Sequence, residues 1–129
     1  MNRIELERYI FEKYGAAGER MWAKYPSFSV FRRKDNRKWF AVIMRIPICK
    51  LGVLENREVN VVNLKCVPEV LDVVWQEEGI FPAYHMNKEH WISVLLDGSV
   101  STETVLMLTD ASFSATAPKM KKKNIEGNL

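Results

Sequence analysis

Cysteine is scarce in this chain, with only Cys49 and Cys66 among 129 residues. Two cysteines are too few for the disulfide framework of a small secreted domain, so we expect reduced thiols. Long apolar runs are missing as well, and none approaches the roughly 18 residues of a membrane span. The N-terminal stretch, MNRIELERYIFEKYG, lacks the apolar core of a signal peptide. These absences disfavour secreted and membrane proteins. We expect a cytoplasmic protein, or a nuclear one if the host has a nucleus.

Catalytic motifs are missing too. The sequence contains no G-x-S-x-G, no H-E-x-x-H, no phosphate-binding P-loop and no dinucleotide fingerprint. Histidine is limited to His85 and His90, whereas a metal site needs three or four ligands, and no C-x-x-C lies in reach. We therefore expect neither an enzyme nor a bound metal or cofactor.

Repeats, low-complexity stretches and linkers rich in proline or glycine do not interrupt the chain. Its length corresponds to one domain. Hydrophobic residues make up 47% and charged residues 27% of the sequence, which is ordinary for a globular domain with its own core. We predict a single domain over residues 1–118, followed by a basic, disordered tail over residues 119–129.

Helix and strand signals alternate along the chain. Residues that cap or break helices bound three segments, with Asn2 and Gly15, Pro68 and Gly79, and Ser101 and Pro118 at their ends. Aromatic and β-branched runs predict strands at SFSVFR, KWFAVIMRI and EVNVVNLKC, and PAYHM with HWISVLL predicts a hairpin. Short connections between strands indicate an α+β fold, with an antiparallel β-sheet and helices packed on one face. The other face would be open to water or to a partner.

Charge is distributed unevenly, although the net charge is only +3. Residues 31–50 carry seven basic side chains and one acidic side chain, whereas residues 66–118 carry one lysine and eight carboxylates. Such a division indicates a side that faces a polyanion and an acidic side, or simply an uneven solvated surface.

The stretch RRKDNRK is the strongest electrostatic candidate. A tight turn at Asp35-Asn36 would gather five basic side chains able to neutralise phosphates, namely Arg32, Arg33, Lys34, Arg37 and Lys38. The alternative is a solvated turn that protects an edge strand from aggregation. The lysines at positions 119 and 121–123 are either a further nonspecific phosphate contact or a solubilising end.

The stretch PAYHMNKEHW concentrates histidines and aromatics in ten residues. A two-residue turn at Asn87 and Lys88 would create three directly opposed pairs, His85 with His90, Tyr84 with Trp91, and Met86 with Glu89. The histidines, Asn87 and Lys88 would then contact phosphates or base edges. The alternative is a hairpin whose aromatics fill the core and whose histidines only face solvent.

Three further strand residues carry predictions of their own. Lys65 ends the strand EVNVVNLKC beside Asn63 and is a candidate to point across the open sheet face. Trp39 and Phe40 stand in an apolar strand and are expected to be buried. The other tryptophans are also expected in the core.

Taken together, these stretches resemble the MmcQ/YjbR family. EVNVVNLKC, PEV, GIFPAYHMNKEHWISVLLD and the late pair Ser112-Phe113 follow the family's order, after YPSFSVFR and KWFAVI. The resemblance covers about Ile4 to about Lys119, and PAYHMNKEHW is its most specific piece. Phe113 departs from the pattern, because the family usually has tyrosine there, so any role of that hydroxyl is absent here.

The resemblance implies a frataxin-like, double-wing fold, in which hairpin wings flank a saddle-shaped sheet face. It also implies DNA as a partner, since family members are commonly labelled DNA-binding proteins. Iron binding of the frataxin kind would need an acidic ridge on the first helix. Glu5, Glu7 and Glu12 are interleaved there with basic residues, which speaks against that role.

We therefore predict a DNA-binding protein whose basic hairpin wings contact the phosphates of double-stranded DNA. The predicted contact residues are Arg32, Arg33, Lys34, Arg37, Lys38, Lys65, His85, Asn87, Lys88 and His90. The alternative is a protein- or small-ligand-binding module that uses the open sheet face. The acidic second half of the chain favours this alternative, because DNA repels it.

Overall fold

The computed structural model of the protein describes residues 1–119. Within this range, three α-helices accompany one five-stranded sheet, and their bounds are α1 Arg3–Tyr14, β1 Ser29–Arg32, β2 Trp39–Pro47, β3 Glu58–Lys65, α2 Leu71–Val74, β4 Ile80–Pro82, β5 Trp91–Leu95 and α3 Thr102–Ala115. The strand order is β1-β2-β3-β5-β4, and all four pairings are antiparallel. The predicted α+β class is confirmed. Apart from Lys119, the predicted basic tail lies outside the described residues.

Local capping residues fix the ends of α1 and α3. The Asn2 side chain accepts a hydrogen bond from the Glu5 N–H (2.9 Å), and the Glu5 carboxylate accepts one from the Asn2 N–H (2.9 Å). These two hydrogen bonds form a capping box, and the predicted start of this helix at Asn2 is confirmed. Gly15 follows α1 with a φ of 66°, a left-handed conformation that glycine adopts without steric cost. Ser101 caps α3 by accepting a hydrogen bond from the Thr104 N–H.

The helices pack on one face of the sheet, and the larger hydrophobic core lies between these two layers. Leu6 and Ile10 of α1, Val105 of α3 and Ile43 of β2 are fully buried members of this cluster. Burying one such aliphatic side chain contributes about 1.5–3 kcal/mol. The predicted placement of helices on one sheet face is confirmed.

A polar cluster joins α1 to α3 at the rim of this core. The Asp110 carboxylate accepts hydrogen bonds from the Tyr14 hydroxyl (2.5 Å), the Tyr9 hydroxyl (2.9 Å) and the Lys13 ammonium (3.0 Å). Burial raises the pKa of Asp110, but these hydrogen bonds outweigh burial and hold the pKa below its ordinary value. Burial, together with the hydrogen bond to Asp110, raises the pKa of Tyr14 to about 12.

The opposite sheet face, predicted to be open, is covered in part. A second hydrophobic cluster lies there, with Val30, Val42, Met44 and Val61 buried in the sheet. Partly buried side chains from connecting segments and strand ends pack against it, namely Trp22, Phe28, Trp39, Leu51, Val53, Phe81, Tyr84 and Met86. The expectation of an open face is corrected because apolar side chains of these segments gain free energy by covering the sheet.

A bulge in β2 lets a helix side chain enter the sheet. The register of β1 on β2 shifts at this point, so Phe40 is an extra residue in β2. As a result, Phe40 joins the helix-side core, while the preceding Trp39 packs on the second face. The fully buried Ser112 hydroxyl donates to the Phe40 carbonyl (2.6 Å) and accepts from the Lys65 N–H (2.8 Å).

The predicted second helix, over residues 68–79, is much shorter than expected. A 3-10 turn (Pro68–Val70) precedes a single α-helical turn (Leu71–Val74). Leu71 is buried, whereas Val73 is 66% exposed. Valines lower helix propensity, and a segment with little apolar contact gains too little from packing to extend the helix.

The second predicted hairpin is present as β4 and β5, but its predicted register is wrong. β4 pairs with β5 only as far as Pro82, which lies opposite Ile92. Residues 83–90 therefore form a loop, and the three predicted pairs do not form, those of His85 with His90, Tyr84 with Trp91, and Met86 with Glu89.

Side chains from neighbouring strands hold the chain where the predicted hairpin would have continued. Pro82 has no N–H to donate to the ladder. The Tyr84 N–H donates to the Ser93 hydroxyl (2.9 Å), and the Asn63 amide donates to the Tyr84 carbonyl (2.8 Å). Asn63 and Ser93 are fully buried and joined by a hydrogen bond of 2.5 Å. The next residue, His85, has a φ of 59°, so the backbone turns away from β5.

Candidate functional site

Both predicted wings are loops at the same end of the sheet. The first loop, residues 33–38, joins β1 to β2, and the second loop, residues 83–90, joins β4 to β5. The end of β3 lies between them, since Lys65 pairs with Trp91 at the start of β5. Most of the predicted phosphate contacts are thereby collected at this end of the molecule.

Arg33 is a structural residue of the first loop. Arg33 is only 7% exposed, and its guanidinium donates to both Asp35 carboxylate oxygens (3.0 and 2.8 Å) and to the Phe113 carbonyl. The same guanidinium lies 3.8 Å from the centroid of the Phe113 ring. The hydrogen bonds from Arg33 hold the pKa of Asp35 below its ordinary value. The structure places Arg33, a predicted phosphate contact, against these internal partners and not at the surface.

The first loop also caps the C-terminal end of α3. Besides Arg33 at the Phe113 carbonyl, the Asn36 amide donates to the Thr116 carbonyl (2.8 Å). The last carbonyls of a helix lack partners within the helix, and a positive charge there is favoured by the helix dipole. The loop is thus attached to the end of α3 by these two hydrogen bonds.

Arg32 and Arg37 share one carboxylate. Glu19 lies 3.2 Å from Arg32 and 3.6 Å from Arg37. The Arg32 Nε is buried and, although close to Glu19, makes no well-formed hydrogen bond within residues 1–119. Its guanidinium lies 5.9 Å from the Trp39 ring centroid. Arg37 keeps 60% of its side chain exposed, so Arg37 is the more available of the two for an external anion.

Lys34 and Lys38 are the two lysines of the first loop, and the end of the Lys34 side chain lies beside Gly15 at the C-terminal end of α1. Both side chains are exposed. Neither takes part in the ion pairs formed among residues 1–119. Lys65, at the end of β3, is half-buried. These lysines meet the basic requirement for a phosphate contact, an unpaired charge at the surface.

The second loop offers fewer polar groups than predicted. The Asn87 side-chain oxygen accepts from the Glu89 N–H (2.8 Å), and Lys88 donates to the Ala83 carbonyl (3.0 Å). His90 is half-buried, and its carbonyl accepts from the Cys66 N–H. His85 is exposed, with its ring 4.0 Å from that of Tyr84. Of the predicted contacts in this loop, His85, Asn87 and Lys88 are exposed, the last two partly engaged, and the exposed Glu89 adds a carboxylate beside them.

A cleft of about 320 Å³ opens on the second sheet face, between the segment that joins α1 to β1 (residues 15–28) and the second loop. Its walls are formed by aromatic rings, those of Trp22, Tyr25, Phe28, Trp39 and Tyr84, with His85 beside them. Val42 and Met44 of β2 line it as well and are almost fully buried. The sequence prediction missed this site and expected Trp39 to be buried, whereas it is only half-buried.

The rings of the cleft are arranged mostly edge to face. Trp22 meets Trp39 at 5.8 Å and Phe28 at 6.1 Å, both with interplanar angles of 83°. Tyr25 stacks on Phe28 at 5.0 Å and is 45% exposed. The sequence signal for this site is the three-residue spacing of Trp22, Tyr25 and Phe28, of which only Phe28 lies in a predicted strand.

No helix among residues 1–119 has the length and apolar character needed to cross a membrane. Within that range, the structure also brings no three His, Cys, Asp or Glu side chains together in a way that could hold a metal ion.

Comparison with known proteins gives consistent matches. A family model described as YjbR matches residues 11–115. The uncharacterized protein YyaQ of Bacillus subtilis (strain 168) is 37% identical over 116 residues, which cover 90% of this chain and 98% of YyaQ. The uncharacterized protein YjbR of Escherichia coli (strain K12) is 36% identical over 74 residues, covering 54% of this chain and 61% of that protein. A Pseudomonas syringae protein of known crystal structure is 42% identical, with a TM-score of 0.88 over 91% of this chain and 100% of the other.

Proposed function

Since the chain belongs to the YjbR family, as its motifs predicted, we propose that it is a binding protein, not an enzyme, and that its ligand is double-stranded DNA. The observation that supports this proposal is the common position of the two loops and of the β3 end at one end of the sheet. The available cations there are Lys34, Arg37, Lys38, Lys65 and Lys88. Arg33 is not among them, because it is buried against Asp35 and Phe113.

The proposed contact is electrostatic and largely independent of base sequence. Each phosphate that a lysine or arginine neutralises releases condensed counterions, and this release drives association. Lys34 and Lys38 would contribute most, because they are exposed and form no ion pair within the described residues. Lysine suits such contacts, since its charge sits at the end of a flexible stem.

The test compares two double variants of equal net charge. Lys34→Gln with Lys38→Gln removes the two lysines of the first loop. Arg8→Gln with Arg45→Gln removes two exposed cations from other parts of the molecule. Binding of a labelled duplex would be followed by fluorescence anisotropy across a salt series. We expect the lysine variant to bind more weakly, with a salt dependence shallower by about 2 in the log–log slope, since each lost phosphate contact removes about 1.

The arginine variant should retain the slope of the unmodified protein. If both double variants lost the same amount of DNA affinity, only net charge would matter. The assignment of the DNA contact to this end of the sheet would then be rejected. Thermal unfolding of both variants serves as the folding control, because exposed charge changes usually alter stability by less than about 0.5 kcal/mol.

A further inference from the structure

The aromatic cleft on the second sheet face has no part in the proposed phosphate contacts. We propose that this cleft binds a small planar aromatic molecule that carries an anionic group. This inference is independent of DNA binding, because it rests on different residues. It gives a concrete location and ligand class to a binding module on this face of the sheet.

The size and lining of the cleft fit a small aromatic ligand. A volume of about 320 Å³ lies at the lower end of the range for small-molecule sites, roughly 300–1,000 Å³. Trp22, Phe28, Trp39 and Tyr84 are half-buried, and Tyr25 is exposed. These rings therefore keep apolar surface in water, and a planar ligand that covers it gains about 25 cal/mol for each Å² of apolar area buried.

The floor of the cleft and its Tyr84 wall are held in place without a ligand. The floor belongs to β2, where Val42 and Met44 are 3% and 2% exposed. Both backbone polar groups of Tyr84 are bonded to the buried side chains of Ser93 and Asn63. A site whose walls are fixed in advance loses less conformational entropy on binding.

The charges around the cleft select an anion over a cation. Arg32 lies 5.9 Å from the Trp39 ring centroid, and Lys24 lies 5.9 Å from that of Tyr25. Glu19 offsets part of the Arg32 charge, and Arg32 and Lys24 lie beside the cleft without lining it, but no carboxylate belongs to the cleft wall formed by the described residues. An aromatic cage for a cationic ligand works by offering free ring faces to the positive charge. Here two rings already have a protein cation nearby, so a cationic ligand would be repelled.

The first experiment uses 2-naphthoate as the probe and 2-naphthylmethylammonium as its cationic counterpart. Binding is followed by NMR of the ¹⁵N-labelled full chain, through the indole N–H signals of its four tryptophans. We expect 2-naphthoate to shift the Trp22 and Trp39 signals with saturation, while those of Trp75 and Trp91 stay in place. The cation should bind at least about tenfold more weakly, a difference of about 1.4 kcal/mol.

Two single variants provide the matched test. Tyr25→Ala removes an exposed ring of the cleft, and Phe11→Ala removes a similarly exposed ring on α1, at 59% exposure. Neither ring lies in the buried core, so both variants should fold as the unmodified protein does. We expect Tyr25→Ala to weaken 2-naphthoate binding by at least about fivefold, as for loss of one stacking partner, and Phe11→Ala to leave it unchanged.

Three results would overturn the inference. The first is the absence of any saturable shift up to about 5 mM 2-naphthoate, which would mean a binding free energy weaker than about −3 kcal/mol. The second is a shift at Trp75 or Trp91 equal to that at Trp22 and Trp39. The third is equal or tighter binding of the cationic probe. Duplex-DNA binding by Tyr25→Ala, measured in parallel, keeps a failure here separate from a failure of the proposed function.

Discussion

Ser112 replaces a backbone hydrogen bond with a side-chain hydroxyl. In the register of β2 on β3, Ala41 lies opposite Leu64, so Phe40 and Lys65 would form the next pair. The Ser112 hydroxyl instead bridges the Phe40 carbonyl and the Lys65 N–H. This bridge gives the serine of the late Ser-Phe pair a structural role. It also anchors α3 to the strands that carry Trp39 and Lys65.

Replacing this serine should destabilise the fold. Ser112→Ala leaves a buried N–H and a buried C=O without their partner, which costs about 1–3 kcal/mol. Ser114→Ala, two residues later on the exposed side of α3, should change stability by less than about 0.5 kcal/mol. Urea unfolding measures both variants. Equal midpoints for Ser112→Ala and Ser114→Ala would show that the bridge contributes nothing.

Arg33 and Lys34 are neighbours with opposite expected roles. Arg33→Gln removes a buried guanidinium from Asp35, the Phe113 carbonyl and the Phe113 ring, and should cost about 2 kcal/mol of unfolding free energy. Lys34→Gln should leave stability within about 0.5 kcal/mol and weaken DNA binding. Thermal unfolding and duplex anisotropy on the two single variants separate these roles. A stable Arg33→Gln variant with lost DNA affinity would reverse our assignment.

At the level of elements, Asp110 makes the contact between α1 and α3 sensitive to acid. The pKa of Asp110 is lower in the folded protein than in the unfolded chain, whose value is about 3.9. The ionised carboxylate therefore stabilises the fold above that pH, and this contribution is lost as the pH falls through the lower folded-state pKa. The unmodified protein should be more stable than Asp110→Asn from about pH 5 to 7, and the difference should shrink below about pH 4.

Urea midpoints recorded across this pH range test the expectation. Asp72→Asn is the matched control, since Asp72 is exposed and takes part in no ion pair among residues 1–119. Its difference from the unmodified protein should stay small at every pH. At pH 3, about one unit below the unfolded-chain pKa, the difference in urea midpoint between Asp110→Asn and the unmodified protein should have become smaller. A difference that stays constant down to this pH would contradict the proposed role of the carboxylate.

Elements specified by adjacent residues were predictable, and those set by distant residues were not. Asn2, Glu5 and Gly15 determine α1 through contacts within four residues or through a single backbone angle. The second loop instead depends on Asn63 and Ser93, which capture the Tyr84 backbone from other strands. No local pattern in PAYHMNKEHW reveals those partners, so the sequence favoured a regular hairpin there.

At the level of the whole molecule, the same reasoning applies to the candidate sites. The positive charge of RRKDNRK was evident from composition, but the burial of Arg33 depends on α3, which is about 80 residues away along the chain. The aromatic cleft unites Trp22, Trp39 and Tyr84 from three separate segments. Only the strand order, β1-β2-β3-β5-β4, brings the two loops to one end and the rings together.

The charge distribution also leads to a prediction for the molecule as a whole. Net charge is only +3, so DNA binding must depend on the local set of cations at the loop end. If four to five of these cations each neutralise one phosphate, log K should fall against log salt concentration with a slope of about −4. Binding through a few apolar or base contacts alone would give a slope near zero.

The measurement that tests the central claim most directly is therefore the salt dependence of duplex-DNA binding by the unmodified protein. Fluorescence anisotropy of a labelled duplex would be recorded from about 20 mM to about 200 mM salt. The account predicts saturable binding at the lowest salt and a slope of about −4. Absence of binding at about 20 mM salt, where screening is weakest, or a slope near zero, would contradict it.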